Sequence, residues 1–110
     1  MSELAMKKCV PCEAGTPPLR EDQIRPLEQK LGGWSVVENH HLHKNYSFKN
    51  FREALAFVDK IGAVAEEEDH HPDIELGWGK VGVTLFTHKI KGLSDNDFIM
   101  AAKIDRIQGN

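Results

Sequence analysis

The chain has 110 residues, of which 40% are hydrophobic and 28% charged, and its formal net charge is -3. This length and composition predict one globular domain over residues 1–110. The negative charge argues against nucleic acid as a partner, because a protein that binds phosphates needs a basic surface. No apolar run reaches the roughly 18 residues of a membrane span, and no signal-peptide pattern is evident. We therefore expect a cytoplasmic location and no membrane partner.

The first 18 residues are rich in proline and glycine and contain the spacing Cys9-x-x-Cys12. This spacing suits a redox pair or half of a zinc site. A redox pair is expected to open a helix beside a strand. A structural zinc site needs four ligands, and the sequence has no second CxxC. We therefore predict that residues 1–18 are a loosely structured N-terminal tail whose cysteines are dispensable.

A short helix and a β hairpin are the first regular elements predicted. Apolar residues at helical spacing indicate a helix over residues 20–31, which Pro26 keeps short or bent and Gly32-Gly33 ends. Trp34 then opens a β segment that turns near residues 39–41.

Three histidines of this β segment are close in sequence: His40, His41 and His43. Positions 41 and 43 share one face of a regular strand, so the pattern HHxH could bind a metal ion. No acid or cysteine nearby completes a ligand set. A metal-binding protein built on the six histidines therefore stays open as an alternative, which metal analysis of the purified chain would test.

The next helix has a clear beginning, because Asn50 and Glu53 form a capping-box pattern. Pro72 disfavours the helical conformation at His71, so we expect the helix to end at about His70 or His71. Apolar residues at steps of three and four predict its buried stripe: Phe51, Leu55, Val58, Ile61 or Gly62, and Ala65.

Four acidic residues, 66–69, fall at the end of this helix, where the macrodipole disfavours negative charge. Their ordinary interpretation is a solvated acidic face. Acidic residues at a helix end that disfavours negative charge also often mark a functional site. Glu66 and His70 are four residues apart, so on one helix face the carboxylate can orient the imidazole, while His71 points elsewhere.

Two strands and a final helix complete the chain. Residues 74–78 and 81–88 predict a hairpin with its turn at Gly79-Lys80. Alternation in the second strand places Val83 and its apolar neighbours in the core and His88 on the other face. Residues 94–97 form a second capping box, which opens a helix with these residues facing inward: Phe98, Ala101, Ala102 and Ile104.

The order helix-strand-strand-helix-strand-strand-helix predicts the fold class. We expect an α+β fold in which a single antiparallel four-stranded sheet has three helices packed on one face. The candidate reactive groups within it are three imidazoles: His70, His71 and His88. Neutral imidazole acts as an acid or a base near physiological pH, so such rings around a small cleft suit a proton-transfer reaction. Signatures of a covalent nucleophile are absent, because the sequence has no GxSxG and both cysteines are far from the histidines.

The spacing Glu66-x3-His70-His71-Pro72-x5-Trp78-x9-His88-x8-Asp97 resembles the signature of the pterin-4a-carbinolamine dehydratases. Further segments also resemble this family, especially its bacterial members: GGWSV at 32–36, YSFKNFREALAFV at 46–58, THKIKGLSDNDF at 87–98 and AAKID at 101–105. The resemblance covers about residues 32–105. Ile74 departs from the tryptophan that many members carry there, which concerns the wall of the pocket rather than the reaction.

This resemblance implies a reaction and its partners. It implies dehydration of a 4a-hydroxytetrahydropterin to quinonoid dihydropterin and water, which recycles the cofactor of aromatic amino acid hydroxylases. It further implies that the pterin is the substrate, that no cofactor or metal is needed, and that the chain forms a homodimer or homotetramer that joins sheets.

The resemblance also implies residue roles. We expect His70 and His88 to be the general acid and base, without assigning which is which, and His71 to line the pterin as a third catalytic-site residue. The expected substrate-binding residues are Glu66, Pro72, Thr87 and Asp97. Among these, Glu66 and Asp97 would orient histidines or bind pterin nitrogens.

A protein-interaction module on the same fold is the alternative function. Animal relatives also act as dimerisation partners of a transcription factor, as a coactivator would. Intact catalytic positions argue against pure binding here, and they leave a second role open.

Overall fold

The computed structural model describes residues 3–11 and 13–108. A 3-10 turn, His88–Ile90, lies between the last strand and the last helix. Within the described residues, no helix is both long and apolar enough to cross a membrane. The helices and strands follow in this order: α1 (Glu3–Met6), α2 (Glu21–Glu28), β1 (Ser35–Val37), β2 (His41–Ser47), α3 (Phe51–Glu68), β3 (Asp73–Gly77), β4 (Lys80–Leu85) and α4 (Asp95–Gln108).

The four strands form one antiparallel sheet in the order β1-β2-β4-β3. Its buried face carries apolar side chains from the two central strands, with Leu42 paired to Leu85 and Tyr46 paired to Val81. Helices α3 and α4 pack on the sheet, and α1 packs on α4. The predicted α+β fold, with a single antiparallel four-stranded sheet and three longer helices, is confirmed.

Strand and helix bounds differ from the predicted ones by a few residues. The turn of the second hairpin lies at Trp78-Gly79 rather than one residue later, and β4 ends at Leu85 rather than at His88. The helix α2 is shorter than predicted and contains Pro26 in its interior. These shifts leave the order of elements unchanged.

The core lies between the sheet and the helices α3 and α4. The predicted inward residues of α4 are confirmed, because all four are buried. The predicted stripe of α3 is wrong in its first two turns, where Phe51 and Leu55 are 43% and 42% exposed. Phe57 is buried instead, because its ring packs against Tyr46 and Phe48 with centroids 4.8 and 5.1 Å apart.

Asp105 fastens α4 to the first hairpin. Its carboxylate accepts hydrogen bonds from the Trp34 indole at 3.0 Å, the Tyr46 hydroxyl at 2.6 Å and the Lys44 ammonium at 2.7 Å. Burial and the bond to Asp105 raise the pKa of Tyr46, so its hydroxyl stays a donor. The segments GGWSV and AAKID are therefore joined in space through Trp34 and Asp105.

The N-terminal residues differ from the expected loose tail. Helix α1 packs on α4 with Leu4 and Ala5 buried, and Lys103 donates a hydrogen bond to the Ala5 carbonyl at 2.9 Å. Apolar burial and this bond explain the order of residues that lack a strong helical pattern. Further along, Pro18 lies so close to Gly92 that a Cβ at position 92 would stand 2.6 Å from the proline ring.

Candidate active site

The conformation at the end of α3 determines which histidine Glu66 contacts. The helix ends at Glu68, because Asp69 adopts a left-handed conformation with φ of 54°. The two histidines that follow are therefore outside the helix, and the neighbour relation of positions four apart is lost. The expected Glu66–His70 pair is wrong: Glu66 Oε2 lies 2.6 Å from His71 Nε2.

His70 is paired with Asp97 at the start of α4. The distance from His70 Nε2 to Asp97 Oδ1 is 2.6 Å, and the Asp97 side chain is fully buried. Its second oxygen accepts hydrogen bonds from the Thr87 hydroxyl and the Ser94 backbone N–H, both at 2.9 Å. The carboxylate is thus fixed by its neighbours and holds His70 with Nε2 towards α4. When Nε2 carries the proton and donates to this carboxylate, Nδ1 of the neutral ring carries the lone pair.

His88 is exposed in the 3-10 turn that follows β4. Its ring lies against Phe86 with centroids 4.1 Å apart, and Phe86 also packs against His40 at 4.9 Å. His40 is therefore at the outer end of a ring stack that leads to His88. His43, the last histidine of HHxH, bonds to Thr84 at 2.9 Å. Among the described residues, no group of three or more His, Cys, Asp or Glu side chains could hold a metal ion.

A cleft of about 250 Å³ brings the candidate residues together. Three of its sides come from the end of α3, the turn after β4 and the N-terminal segment. Glu66 and Asp97 lie behind His71 and His70, and the structure does not place Pro72 or Trp78 in the lining drawn from its described residues. The lining residues are Val10, Pro11, Asp69, His70, His71, Thr87, His88, Lys89 and Asn96.

Five residues of this lining were not among the predicted site residues: Val10, Pro11, Asp69, Lys89 and Asn96. The Val10 N–H donates to Asn96 Oδ1 at 3.0 Å, and the Asn96 amide nitrogen donates to the Val10 carbonyl. Val10 and Pro11 lie in a segment without periodic pattern, and Asn96 was part of a capping pattern. No signal in the sequence joins residues that are 86 positions apart.

Glu68 and Cys9 form a second link between the N-terminal segment and α3. The Cys9 N–H donates to Glu68 Oε1 at 2.8 Å, and the Glu68 side chain is buried, unlike the other three acids of residues 66–69. This bond lowers the pKa of Glu68, with the Lys103 ammonium contributing. Burial and the Glu68 charge raise the pKa of the Cys9 thiol to about 12, so it is a poor nucleophile at neutral pH. Cys12 lies outside the described residues.

Comparisons with known proteins agree with the sequence motif. A candidate pterin-4-alpha-carbinolamine dehydratase of Rubrobacter xylanophilus is 55% identical over 97% of this chain and 100% of its own. Another, of Alkaliphilus metalliredigens, is 55% identical over 98% of both chains.

Solved structures with the same fold extend the comparison. The crystal structure of a transcriptional coactivator/pterin dehydratase from Brucella melitensis is similar, with a TM-score of 0.78 and 32% identity over 82% of this chain and 97% of that one. A pterin dehydratase-like protein identified as a RuBisCO assembly factor in the alpha-carboxysome has a TM-score of 0.61 and 26% identity, covering 71% of this chain and 92% of that one.

The family model described as pterin 4 alpha carbinolamine dehydratase matches residues 17–107, which include the histidines and carboxylates of the cleft. Taken with identities of 55% along nearly the whole chain, this match shows that the protein belongs to the pterin-4a-carbinolamine dehydratase family.

Proposed function

We propose that the protein is a dehydratase that converts a 4a-hydroxytetrahydropterin to quinonoid dihydropterin and water. The observation that carries this proposal is the convergence of His70, His71 and His88 on one cleft, two of them with a carboxylate partner. The cleft is smaller than the roughly 300–1,000 Å³ typical of drug-sized ligands, which suits a bicyclic molecule. Family membership supports the same reaction.

The chemistry needs one acid and one base. In the substrate, C4a carries the hydroxyl and the neighbouring N5 carries a hydrogen. The N5 lone pair forms the C4a=N5 double bond as the C4a–O bond breaks. A general acid protonates the departing hydroxyl to give water, and a general base takes the proton from N5. Each group is typically worth about 10²–10⁴ in rate.

We assign the base to His70. Asp97 accepts the Nε2–H of His70, so the neutral ring carries its lone pair on Nδ1. When Nδ1 takes the proton from N5, the buried carboxylate stabilises the imidazolium that forms. His88, whose ring is held by Phe86 in a separate segment of the cleft, is then the acid.

The remaining predicted residues support this pair. His71 is oriented by Glu66 and lines the open side of the cleft, with its side chain 54% exposed. Thr87 lines the cleft and bonds to Asp97, and Pro72 directs the chain away from His71 into β3. Because Asp97 is fully buried, we propose that it acts through His70 rather than by contact with the pterin. The pterin is the substrate, and this mechanism uses no cofactor or metal.

The proposed reaction places the protein beside an aromatic amino acid hydroxylase, whose tetrahydropterin cofactor the product would regenerate. A coupled assay tests this role. A hydroxylase that releases the carbinolamine should sustain more turnovers when the protein is added together with a dihydropterin reductase. Equal hydroxylation with and without the protein would contradict the role in recycling.

We also propose a homo-oligomer, because one face of α3 carries exposed apolar side chains. Phe51 and Leu55 lie one helical turn apart and are 43% and 42% exposed. An exposed apolar pair on a helix whose other face is buried supports a subunit contact at this surface. The same surface is the observation that favours an interaction role as second candidate function.

The direct test of the proposed function is the decay of a 4a-hydroxytetrahydropterin with and without the protein. The carbinolamine dehydrates slowly on its own, so this background must be subtracted. We expect a rate that rises in proportion to the protein concentration. A folded protein that leaves the background rate unchanged would overturn the proposal.

A further inference from the structure

The N-terminal strap, defined as residues 7–11, runs along the cleft and is fastened by two buried side chains that the proposed reaction does not use. Asn96 bonds to both peptide groups of Val10, and Glu68 accepts the Cys9 N–H at 2.8 Å. Asn96 and Glu68 are 4% and 8% exposed. A buried polar group that loses its hydrogen-bond partner destabilises the fold, so these hydrogen bonds fix the position of the strap.

Further contacts hold the strap at its beginning. Helix α1, which precedes it, buries Leu4 and Ala5 against α4. Lys103 donates a hydrogen bond to the Ala5 carbonyl and lies 3.6 Å from Glu68, so one ammonium group links α1 to the anchor of the strap. The strap is therefore a built part of the structure, although it precedes residue 17, where the family match begins.

The strap gives the cleft apolar surface and no acid or base. Its contribution to the lining is Val10, which is 65% exposed, and Pro11. The same two residues also line a second cleft of about 320 Å³, whose other apolar lining includes Pro17, Leu19 and Leu93. The strap thus separates the histidine cleft from an apolar neighbour.

We propose that Val10 and Pro11 form the wall that contacts the C6 substituent of the pterin and so determine which pterins are accepted. This inference rests on the proposed dehydratase function. C6 is bonded to N5, so when N5 lies at the catalytic histidines the substituent at C6 leaves the ring beside the reactive edge. The histidines, Thr87 and Lys89 provide polar groups for the ring, whereas the strap provides the carbon surface that an alkyl chain packs against.

The experiment compares two substrates, a 4a-hydroxytetrahydropterin with a methyl group at C6 and one with a dihydroxypropyl group. The ratio of their kcat/KM values is measured for the wild type, Val10→Ala and Pro11→Gly. Because a lost methyl or methylene contact discriminates by about tenfold or more in a closed pocket, we expect the ratio to change by about fivefold at this half-open wall. The change should lie in KM, since the wall contributes binding rather than proton transfer.

Glu68→Ala is the second variant, because Glu68 lies outside the cleft and this change removes the acceptor of the Cys9 N–H that anchors the strap, which a glutamine oxygen would retain. It should shift the ratio in the same direction, and combining it with Val10→Ala should give less than the product of the two effects. Lys7→Ala, a change at an exposed strap residue that lines neither cleft, is the matched control and should leave the ratio as in the wild type.

The outcomes separate the two proposals. One outcome is a wild type that is active on both pterins while the kcat/KM ratios of Val10→Ala and Pro11→Gly stay within about twofold of the wild-type ratio. This result would refute the proposed role of Val10 and Pro11 and leave the dehydratase function intact. A wild type inactive on both pterins would overturn the function itself. If Lys7→Ala changes the kcat/KM ratio as much as Val10→Ala does, the proposed role of Val10 and Pro11 is also contradicted. The effect would then result from a general disturbance of the strap.

Discussion

Asp97→Asn is the sharpest test of the assigned base, because it changes one proton and almost no volume. In the wild type, one carboxylate oxygen accepts from His70 and the other from Thr87 and Ser94. The amide oxygen of asparagine can keep the bonds to Thr87 and Ser94. Its NH₂ group then faces His70 Nε2 as a donor, so the neutral ring must move its proton to Nδ1. Nδ1 can no longer accept the proton from N5.

The magnitude follows from these contacts. Loss of a general base costs about 10²–10⁴ in turnover, so we expect kcat to fall by about 10²-fold or more. The three hydrogen bonds to the carboxylate are charge-assisted in the wild type and become neutral ones in the variant, but all three can still form. The free energy of unfolding should therefore fall by only about 1–3 kcal/mol, and the variant should stay folded. Carbinolamine decay gives kcat, and urea unfolding followed by circular dichroism gives the stability.

Asp95→Asn is the matched control. Asp95 is exposed in the same first turn of α4, so its change removes the same charge from the helix N-terminus, worth about 0.3–1 kcal/mol, without touching His70. We expect kcat of this variant to stay near that of the wild type. The reasoning is refuted if folded Asp97→Asn keeps kcat within about threefold of the wild type, or if Asp95→Asn loses as much.

Three further predictions concern stability, the cysteines and assembly. The Cys9 N–H holds the pKa of Glu68 below its ordinary value of 4.5, so the charged carboxylate stabilises the fold above that pH and this contribution is lost as pH falls through the lowered pKa. Glu68→Gln should thus have a lower free energy of unfolding than the wild type at about pH 7. Urea unfolding should show that this difference in free energy becomes smaller at about pH 3. A difference that does not change with pH would contradict the linkage. Changing Cys9 and Cys12 to Ser should leave folding and turnover near wild type, whereas a large loss of either, or stoichiometric zinc in the purified protein, would refute this. Light scattering at micromolar concentration should show an oligomer that Phe51→Ser with Leu55→Ser dissociates, and a monomeric wild type would refute the interface.

The fold could be predicted where periodic patterns are unambiguous. The alternation in β4 allows one buried face, and this face is confirmed. The four residues of α4 that were predicted to face inward are also buried, but so are Ile99 and Met100, so the first half of this helix is buried on more than one side. Helix α3 has apolar residues on two overlapping faces, and spacing alone does not choose between them. In the structure, Phe57 packs against Tyr46, whereas Phe51 and Leu55 stay exposed.

The site could be predicted as a set of residues but not as a set of contacts. The motif indicated the histidines that line the cleft, whereas the helical spacing paired Glu66 with His70 instead of His71. The exchange results from the left-handed conformation of Asp69, which an aspartate adopts without a strong sequence signal. The strap could not be predicted either, because its bond to Glu68 joins residues 59 positions apart.

The measurement that tests the central claim most directly is the carbinolamine turnover of His70→Ala, His88→Ala and the double variant, each checked for folding by circular dichroism. We predict that each single change lowers kcat by about 10²-fold or more with a smaller effect on substrate affinity. The double variant should lose less than the product of the two, because groups that act as a unit are not additive. His71→Ala is the comparison, since His71 lines the cleft without an assigned proton transfer. Correctly folded single variants that turn over within a few-fold of the wild type would contradict the account, and so would a loss confined to His71→Ala.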